Sequence, residues 1–588
     1  MLTTAVHAAM GEHPFDLLIR GVRIVNVFND SVSDGSIGIL DGRIVYAGPV
    51  DFPCEARETV DGGGRYALPG FVDAHMHLES SMLTPAHFAE TVMARGTTTV
   101  AADPHEIANV LGRAGVETLL AATKALPLRV LVMAPSTVPS APGFEASGYA
   151  VDAEEMERLL ALPGIAGLGE VMDFNGVAAG ERHILSVVEA AKQRGFLLDG
   201  HASILTGRRL QAFRAAGIDS DHTTGSAEKL REELALGFTV QIQSCMLSEE
   251  MVKAMNEAPV QDRICLVTDD VPLPRLMREG HLNAVVEKAV ALGLSPLRAV
   301  RYATINPAVR LRLYDVGGIA PGMAADLQLV GDLSHLRPSL VISDGRKVFE
   351  DGRFLAELPP LPSAETMHHS IRLHPVKPED FLLPCAVAPS FQSGTALVNM
   401  IGQDGRTVRT RLTRRELPLR RDSAGAAVVE TAPYLKMAVF NRYGQPRHGL
   451  ALIDGMEGVS GAAALTYGHD SHNLTVFGGN DGDMALAANA VREAEGGLCA
   501  VRDGRVTAIV PLPLAGLLSE EPPQRLLAEL ENFLDQCRNM GFCHEDLMSF
   551  FTIMPLAVSP EIKCTDRGLL DVTHKRFLPL IERVKENV

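Results

Sequence analysis

The sequence predicts an α/β protein built on a (β/α)8 TIM-type barrel, with a small split β-sandwich domain and an additional C-terminal α/β domain. Three observations carry this reading. Apolar runs rich in Val, Ile, Thr and Leu recur eight times between residues 71 and 315, alternating with amphipathic helical stretches. Similar strand pairs turned by Asp-Gly lie on both sides of that region. A proline-rich stretch then introduces a further alternating strand and helix pattern over residues 366–588.

Taken in order, residues 1–70 read as short strands, with Asp41-Gly42 as a two-residue hairpin turn. A matching hairpin lies in residues 316–358, where Ala325–Val330 precedes a run turned by Asp344-Gly345. The two pieces are expected to pair into one β domain split by an insertion. The insertion, residues 71–315, holds eight strand-like runs: Phe71–His77, Gly96–His105, Arg129–Thr137, Ile165–Met172, Phe196–Ala202, Ile218–Thr224, Phe238–Cys245 and Ile264–Asp270. Eight βα units in a segment near the roughly 250 residues typical of a barrel favour a closed barrel over an open sheet. An open sheet would also want a phosphate-binding glycine loop, and none is found. Leu358–Ser363 reads as a linker.

Composition narrows the function. The chain has 54 basic and 72 acidic residues, a formal charge of −18 that disfavours nucleic acid and anionic membrane surfaces as partners. No run of about 18 uncharged apolar residues is present, and Met1–Arg20 lacks the basic and apolar pattern of an export signal. The eight cysteines form no CxxC pair, which suits a reducing compartment. A cytoplasmic location is expected, and any metal must be held by ligands other than cysteine.

The strongest local signal is Asp73-Ala74-His75-Met76-His77 at the end of the first barrel run. Alternation along a strand would put Asp73, His75 and His77 on one face, and two imidazoles there can share a metal. Ligand-type residues recur at the ends of other runs: His105, Glu170, His201, His222 and Asp269. In a (β/α)8 barrel those ends converge on one mouth, where active sites are built. Imidazole and carboxylate ligands gathered there need a cation to offset their desolvation. His75, His77, Glu170, His201, His222 and Asp269 suffice for two metals bridged by Glu170, with Asp269 placed to move a proton. Metal-assisted hydrolysis is the implied reaction class.

With those residues stated, the chain resembles the amidohydrolase superfamily, in its HxH, His, His, Asp series and in the exit segments Ala303–Ala308 and Gly318–Leu327. Residues 69–112, 169–177 and 468–487 closely resemble the bacterial adenine deaminases. That resemblance implies hydrolytic deamination of adenine to hypoxanthine and ammonia, in purine salvage, at a binuclear centre of manganese or iron, with zinc a third option. It implies metal ligands at His75, His77, Glu170, His201, His222 and Asp269. Asp269 and Glu170 would serve catalysis, and His105 would assist proton transfer or contact metal. Glu106 and Asp270 are assigned to substrate; the plainer alternative for His105 and Glu106 is a polar cluster opening the next helix.

The alternative activity is opening of a cyclic amide of the hydantoin or dihydropyrimidine type, or attack on a modified purine. Many cyclic-amide relatives bridge their metals with a lysine on the fourth strand, and Ile165–Met172 contains Glu170 and no lysine. The segment Thr268–Pro274 is less basic than expected of adenine deaminases, which touches substrate choice. His469–Asn473 forms a polar cluster that either closes over the barrel mouth or is an ordinary turn. The expected partner is a small-molecule purine base, and the expected assembly a homo-oligomer, dimer or higher.

Overall fold

The computed structural model describes residues 2–50, 52–362, 364–388 and 391–587. Ser363, the end of the expected linker, lies outside the described residues, as do Met1, Asp51, Pro389, Ser390 and Val588 of the flanking domains. Contacts divide the chain into two compact units. One comprises Met1–Pro104, Glu117–Thr137 and Val151–Pro362; the other comprises His105–Val116, Val138–Ala150 and Ser363–Val588.

In the first unit, strands β1 (Phe15–Asn26), β2 (Ser31–Leu40), β3 (Arg43–Gly48), β4 (Ala56–Asp61) and β5 (Tyr66–Pro69) precede the barrel. The barrel strands are β6 (Phe71–Met76), β7 (Thr97–Ala102), β8 (Arg129–Ala134), β9 (Ile165–Val171), β10 (Leu197–Gly200), β11 (Ser220–Asp221), β12 (Thr239–Ile242) and β13 (Ile264–Leu266). After it come β14 (Leu327–Val330), β15 (Pro338–Ser343), β16 (Arg346–Glu350) and β17 (Arg353–Phe354). Each of the eight expected runs holds one barrel strand.

The flanking strands form one nine-stranded sheet in the order β17-β16-β15-β14-β5-β1-β2-β3, with β4 beside β1. The junction between the early and late pieces is the antiparallel pair β5–β14, Pro69 opposite Leu327 and Ala67 opposite Leu329. The sheet encloses its own apolar face, where Ile19, Ile37, Ile44, Leu327 and Ile342 pack together. Both hairpin turns carry positive φ at Asp and Gly, 49° and 75° at Asp41-Gly42 and 44° and 74° at Asp344-Gly345, the geometry that Asp-Gly suits. They abut: a Cβ on Gly345 would fall 2.7 Å from the Gly42 Cα.

The barrel strands run parallel as two ladders, β6-β7-β8-β9-β10 and β11-β12-β13. A bridge between Met76 and Asp269 joins β6 to the end of β13, with the Asp269 amide donating to His75 O at 3.2 Å. Between β10 and β11 no backbone ladder runs among the described residues. The intervening helices start at side-chain caps: Asp152 for Ala153–Leu160, Ser226 for Ala227–Ala235 and Ser248 for Glu249–Glu257. Val72, Ala74, Ala101, Met133, Leu197, Cys265 and Val267 fill the barrel core.

The second unit is built on a ten-stranded sheet. Its strands are β18 (Ser393–Gly402), β19 (Arg411–Arg421), β20 (Ala427–Val429), β21 (Tyr434–Phe440), β22 (His448–Glu457), β23 (Ala462–Leu465), β24 (Leu474–Gly478), β25 (Gly497–Arg502) and β26 (Arg505–Pro511), joined near the end of the chain by Ile581–Asn587 beside β18. Helix Asp481–Glu493 packs Met484, Ala487, Ala488 and Val491 onto Ala438, Ala464 and Val476 of the sheet. Among the described residues no helix is long and apolar enough to cross a membrane.

Candidate metal centre

Strand β6 does not alternate strictly. Asp73 lies opposite Val100 and Met76 opposite Ala102, so three residues of β6 advance against two of β7, a bulge. The expectation that Asp73 shares a face with His75 and His77 is thereby corrected. Val72 and Ala74 face the barrel core. Asp73 turns instead to Thr268, accepting its hydroxyl at 2.6 Å and its amide at 3.3 Å, with His281 Nε2 at 3.6 Å. Beyond the bulge, His75 and His77 are both available to the site.

The carboxylate of Glu170, at the end of β9, is the hub. Its Oε1 lies 3.2 Å from His77 Nε2, and its Oε2 lies 2.6 Å from His201 Nδ1 and 3.1 Å from His222 Nε2. Asp269 Oδ1 lies 3.2 Å from His77 Nε2 and 3.9 Å from His75 Nε2. His75 and His222 stack with ring centroids 3.8 Å apart, and His77 and His201 stand edge-on to them. All six expected ligands therefore meet. Asp270 is exposed, and its carboxylate accepts the Ser80 hydroxyl.

Neighbouring groups aim these side chains. Asp199 Oδ2 holds His75 Nδ1 at 2.8 Å, and the Asp103 carbonyl holds His77 Nδ1 at 2.9 Å. Asp103 Oδ2 also accepts the Glu170 amide at 2.7 Å. That approach explains Gly169: a Cβ there would fall 2.2 Å from Asp103 Oδ2. Partners that fix a ligand's orientation and tautomer are a usual feature of metal sites.

Electrostatics point the same way. Burial alone would raise the carboxyl pKa of Glu170, yet the charge of His222 and hydrogen bonds from His201, His222 and His77 hold it well below its ordinary value. Asp269 behaves alike: burial opposes ionisation, and the hydrogen bond from His77 with the charges of His222 and His75 outweighs it. Burial would lower His222, but Glu170 drives it up to about 9. The buried carboxylates of Glu170 and Asp269 are thus held ionised by the imidazoles around them. The donor set fits a metal. His75 Nε2 and His222 Nδ1 are buried and make no hydrogen bond. Donor atoms of His75, His77 and Glu170, and of Glu170, His201 and His222, lie within 4.8 Å of one another in each group.

In the second unit His105 and Glu106 open helix His105–Leu111. The fully buried Glu106 carboxylate is hydrogen-bonded by His469 Nδ1 and by His472 Nε2. His105 Nε2 lies 3.6 Å from Glu106 Oε1 and 4.0 Å from Asp470 Oδ1. Burial opposes the charge on Glu106, and the imidazoles of His469, His472 and His105 hold it well below its ordinary pKa.

Residues 66–348 match the amidohydrolase family model, and residues 407–576 match the adenine deaminase C-terminal domain. The adenine deaminase of Nitratidesulfovibrio vulgaris (strain DP4) is 37% identical over 577 residues, covering 97% of both chains. The chain belongs to the adenine deaminase family. The adenine deaminase of Moorella thermoacetica is likewise 37% identical, over 98% of this chain and 97% of its own. That of Serratia proteamaculans is 36% identical over the same shares. The match to the amidohydrolase family model implies a divalent metal centre, and among the described residues the donor groups of His75, His77 and Glu170, of His75, His222 and Asp269, and of Glu170, His201 and His222 could hold such an ion.

Asp103, Asp199 and Gln243 were not singled out by sequence reasoning. A signal for two of them existed: Asp199 lies two residues before His201 and Gln243 two before Cys245, at ends of predicted strands where period two keeps side chains on one face.

Proposed function

We propose that this chain hydrolyses adenine to hypoxanthine and ammonia, and that its barrel ligands around Glu170 would hold a binuclear divalent centre, manganese or iron by preference and zinc as the third option. The observation that carries the reading is full-length likeness to adenine deaminases, and the meeting of His77, His201 and His222 on the Glu170 carboxylate supports it. A bound divalent centre supplies Lewis acidity that brings the pKa of water toward neutrality.

The chain's own residues supply the rest. His75, His77, His201 and His222 would hold the ions with Glu170, and the hydrogen bonds from His75 to Asp199 and from His77 to the Asp103 carbonyl keep both imidazoles turned toward that site. Asp269 accepts one proton from the water that attacks C6 and passes it to the departing amino nitrogen, and the second proton of the water ends on N1, so that ammonia leaves and the carbonyl of hypoxanthine forms. Gln243 donates to Asp269 Oδ2 and fixes the plane in which that carboxylate works. We assign the reaction to the cytoplasm, a reading supported by eight free cysteines.

Ammonia release from adenine, adenosine, guanine and hydantoin on metal-reconstituted protein tests the proposal. Release from adenine is expected. Release from hydantoin alone would replace the assignment with cyclic-amide hydrolysis.

A further inference from the structure

Where the barrel ladder is interrupted between β10 and β11, side chains do the joining. The Gly200 amide donates to Ser220 Oγ at 3.2 Å. Arg310, the last residue of helix Ile305–Arg310, donates from Nη2 to the Leu198 carbonyl at 2.8 Å and to Ser220 Oγ at 3.0 Å. Ser220 Oγ in turn donates to Asp199 Oδ1, which also accepts Gln241 Nε2 at 2.9 Å. The hydroxyl therefore uses its single proton on Asp199 and accepts from both other groups, its full capacity.

Asp199 is the buried carboxylate that holds His75 Nδ1, leaving Nε2 as the atom turned to the metal ligands. Arg310 Nη2 lies 3.9 Å from Asp199 Oδ1 and 3.3 Å from Asp219 Oδ1, and its side chain is only 8% exposed. A buried carboxylate needs charge compensation and saturated hydrogen bonding to keep one orientation. The seam supplies both from the floor of the barrel, and Asp199 passes their effect to the imidazole at the mouth.

We propose that Arg310 is a positioning residue for the metal centre: through Ser220 it fixes the carboxylate of Asp199 that aims His75. The proposal rests on the reading of His75 as a metal ligand. A role confined to the fold, pinning Leu198 and pairing with Asp219, would leave metal affinity untouched. Arg310 also lines two adjoining cavities, of about 250 and 220 Å³, at the N-terminal ends of the strands. Solvent reaches the space that its truncation would leave.

The experiment titrates metal-free wild type, Arg310→Ala, Arg310→Lys and Ser220→Ala with Mn²⁺ against a chelating indicator, and records thermal unfolding of the metal-free forms alongside. Arg310→Ala is expected to weaken Mn²⁺ binding about 10-fold, the low end for groups behind a ligating imidazole. Arg310→Lys retains most of the affinity, and guanidinium ion at millimolar concentration restores it to Arg310→Ala without effect on wild type. Ser220→Ala weakens binding in the same direction and decides the matter where Arg310→Ala fails to fold.

Unchanged Mn²⁺ affinity in the folded variants overturns the proposal, whatever happens to their thermal midpoints. Weakening that neither guanidinium nor Arg310→Lys repairs overturns it too, because the missing charge is then not the cause. Wild type that binds no Mn²⁺ overturns the metal reading itself, so the two failures are told apart.

Discussion

The carboxamide of Gln243 ties His222 to Asp269: its Nε2 donates to the His222 carbonyl oxygen at 2.9 Å and to Oδ2 of Asp269. One Asp269 oxygen is thereby occupied, and Oδ1 is left toward His77. Gln243→Leu removes a hydrogen bond to a charged acceptor, an interaction of about 1.5 kcal/mol or more. We expect kcat to fall at least about 10-fold with metal content unchanged, as measured by steady-state kinetics and elemental analysis. An effect confined to KM would place Gln243 in substrate binding instead.

Asp269→Asn keeps the shape of the side chain and removes its basicity. Turnover should drop by at least about 10²-fold, the lower end of general acid–base contributions, while the variant remains folded by circular dichroism. Undiminished turnover would take the proton-transfer role away from this residue.

Glu170 touches three imidazoles through two oxygens, so no other single side chain should matter as much to metal retention. Glu170→Ala is expected to retain fewer than two ions per chain after dialysis. Full occupancy in that variant would show that the bridge is not needed.

Removing metal should also lower stability, since a ligand present at about 100 times its Kd contributes about 2.7 kcal/mol to the folded state. Differential scanning calorimetry of chelated and manganese-loaded protein provides the check. Identical midpoints would argue that the gathered ligands hold no ion tightly.

Lys563, fully buried on strand Ile562–Thr565, donates to the Val408 carbonyl at 3.1 Å. Burial pushes its pKa down from 10.5 to about 7. The folded chain then binds fewer protons than the unfolded chain between about pH 7 and 10.5, so this residue's contribution to stability rises with pH across that window. Its unfavourable effect is fully present below about pH 7. Lys563→Met should therefore raise the thermal midpoint at about pH 6, with the gain shrinking as pH approaches about 10. A gain independent of pH would mean that the amine titrates alike in the folded and unfolded chains.

Much of this architecture was legible in the sequence because its signals are local. Most barrel strands are short apolar runs between helical stretches, and each Asp-Gly turn announces its hairpin by the positive φ it requires. The ligands were legible because they end those runs. The bulge in β6 was not, since it comes from register against β7 and no residue type in Asp73–Met76 encodes it. Nor was the grouping of His105–Val116 and Val138–Ala150 with residues from the far end of the chain. Those segments are sequence neighbours of barrel strands, and contacts such as that of Glu106 with His469 and His472 span more than 360 positions. Arg310 escaped notice for the opposite reason: it follows the last barrel strand in a short helix of ordinary composition, and its target, Asp199, is named only by the fold.

The bridge from Met76 to Asp269 gives the ring its final join. Fraying at that point would separate His75 and His77 from Asp269 in the same instant, so an opening of the wall at this join would also take the gathered side chains apart. Amide exchange at position 269 should accordingly report on idle enzyme, and a staple placed across those two strands would be expected to lengthen the working fraction of its time.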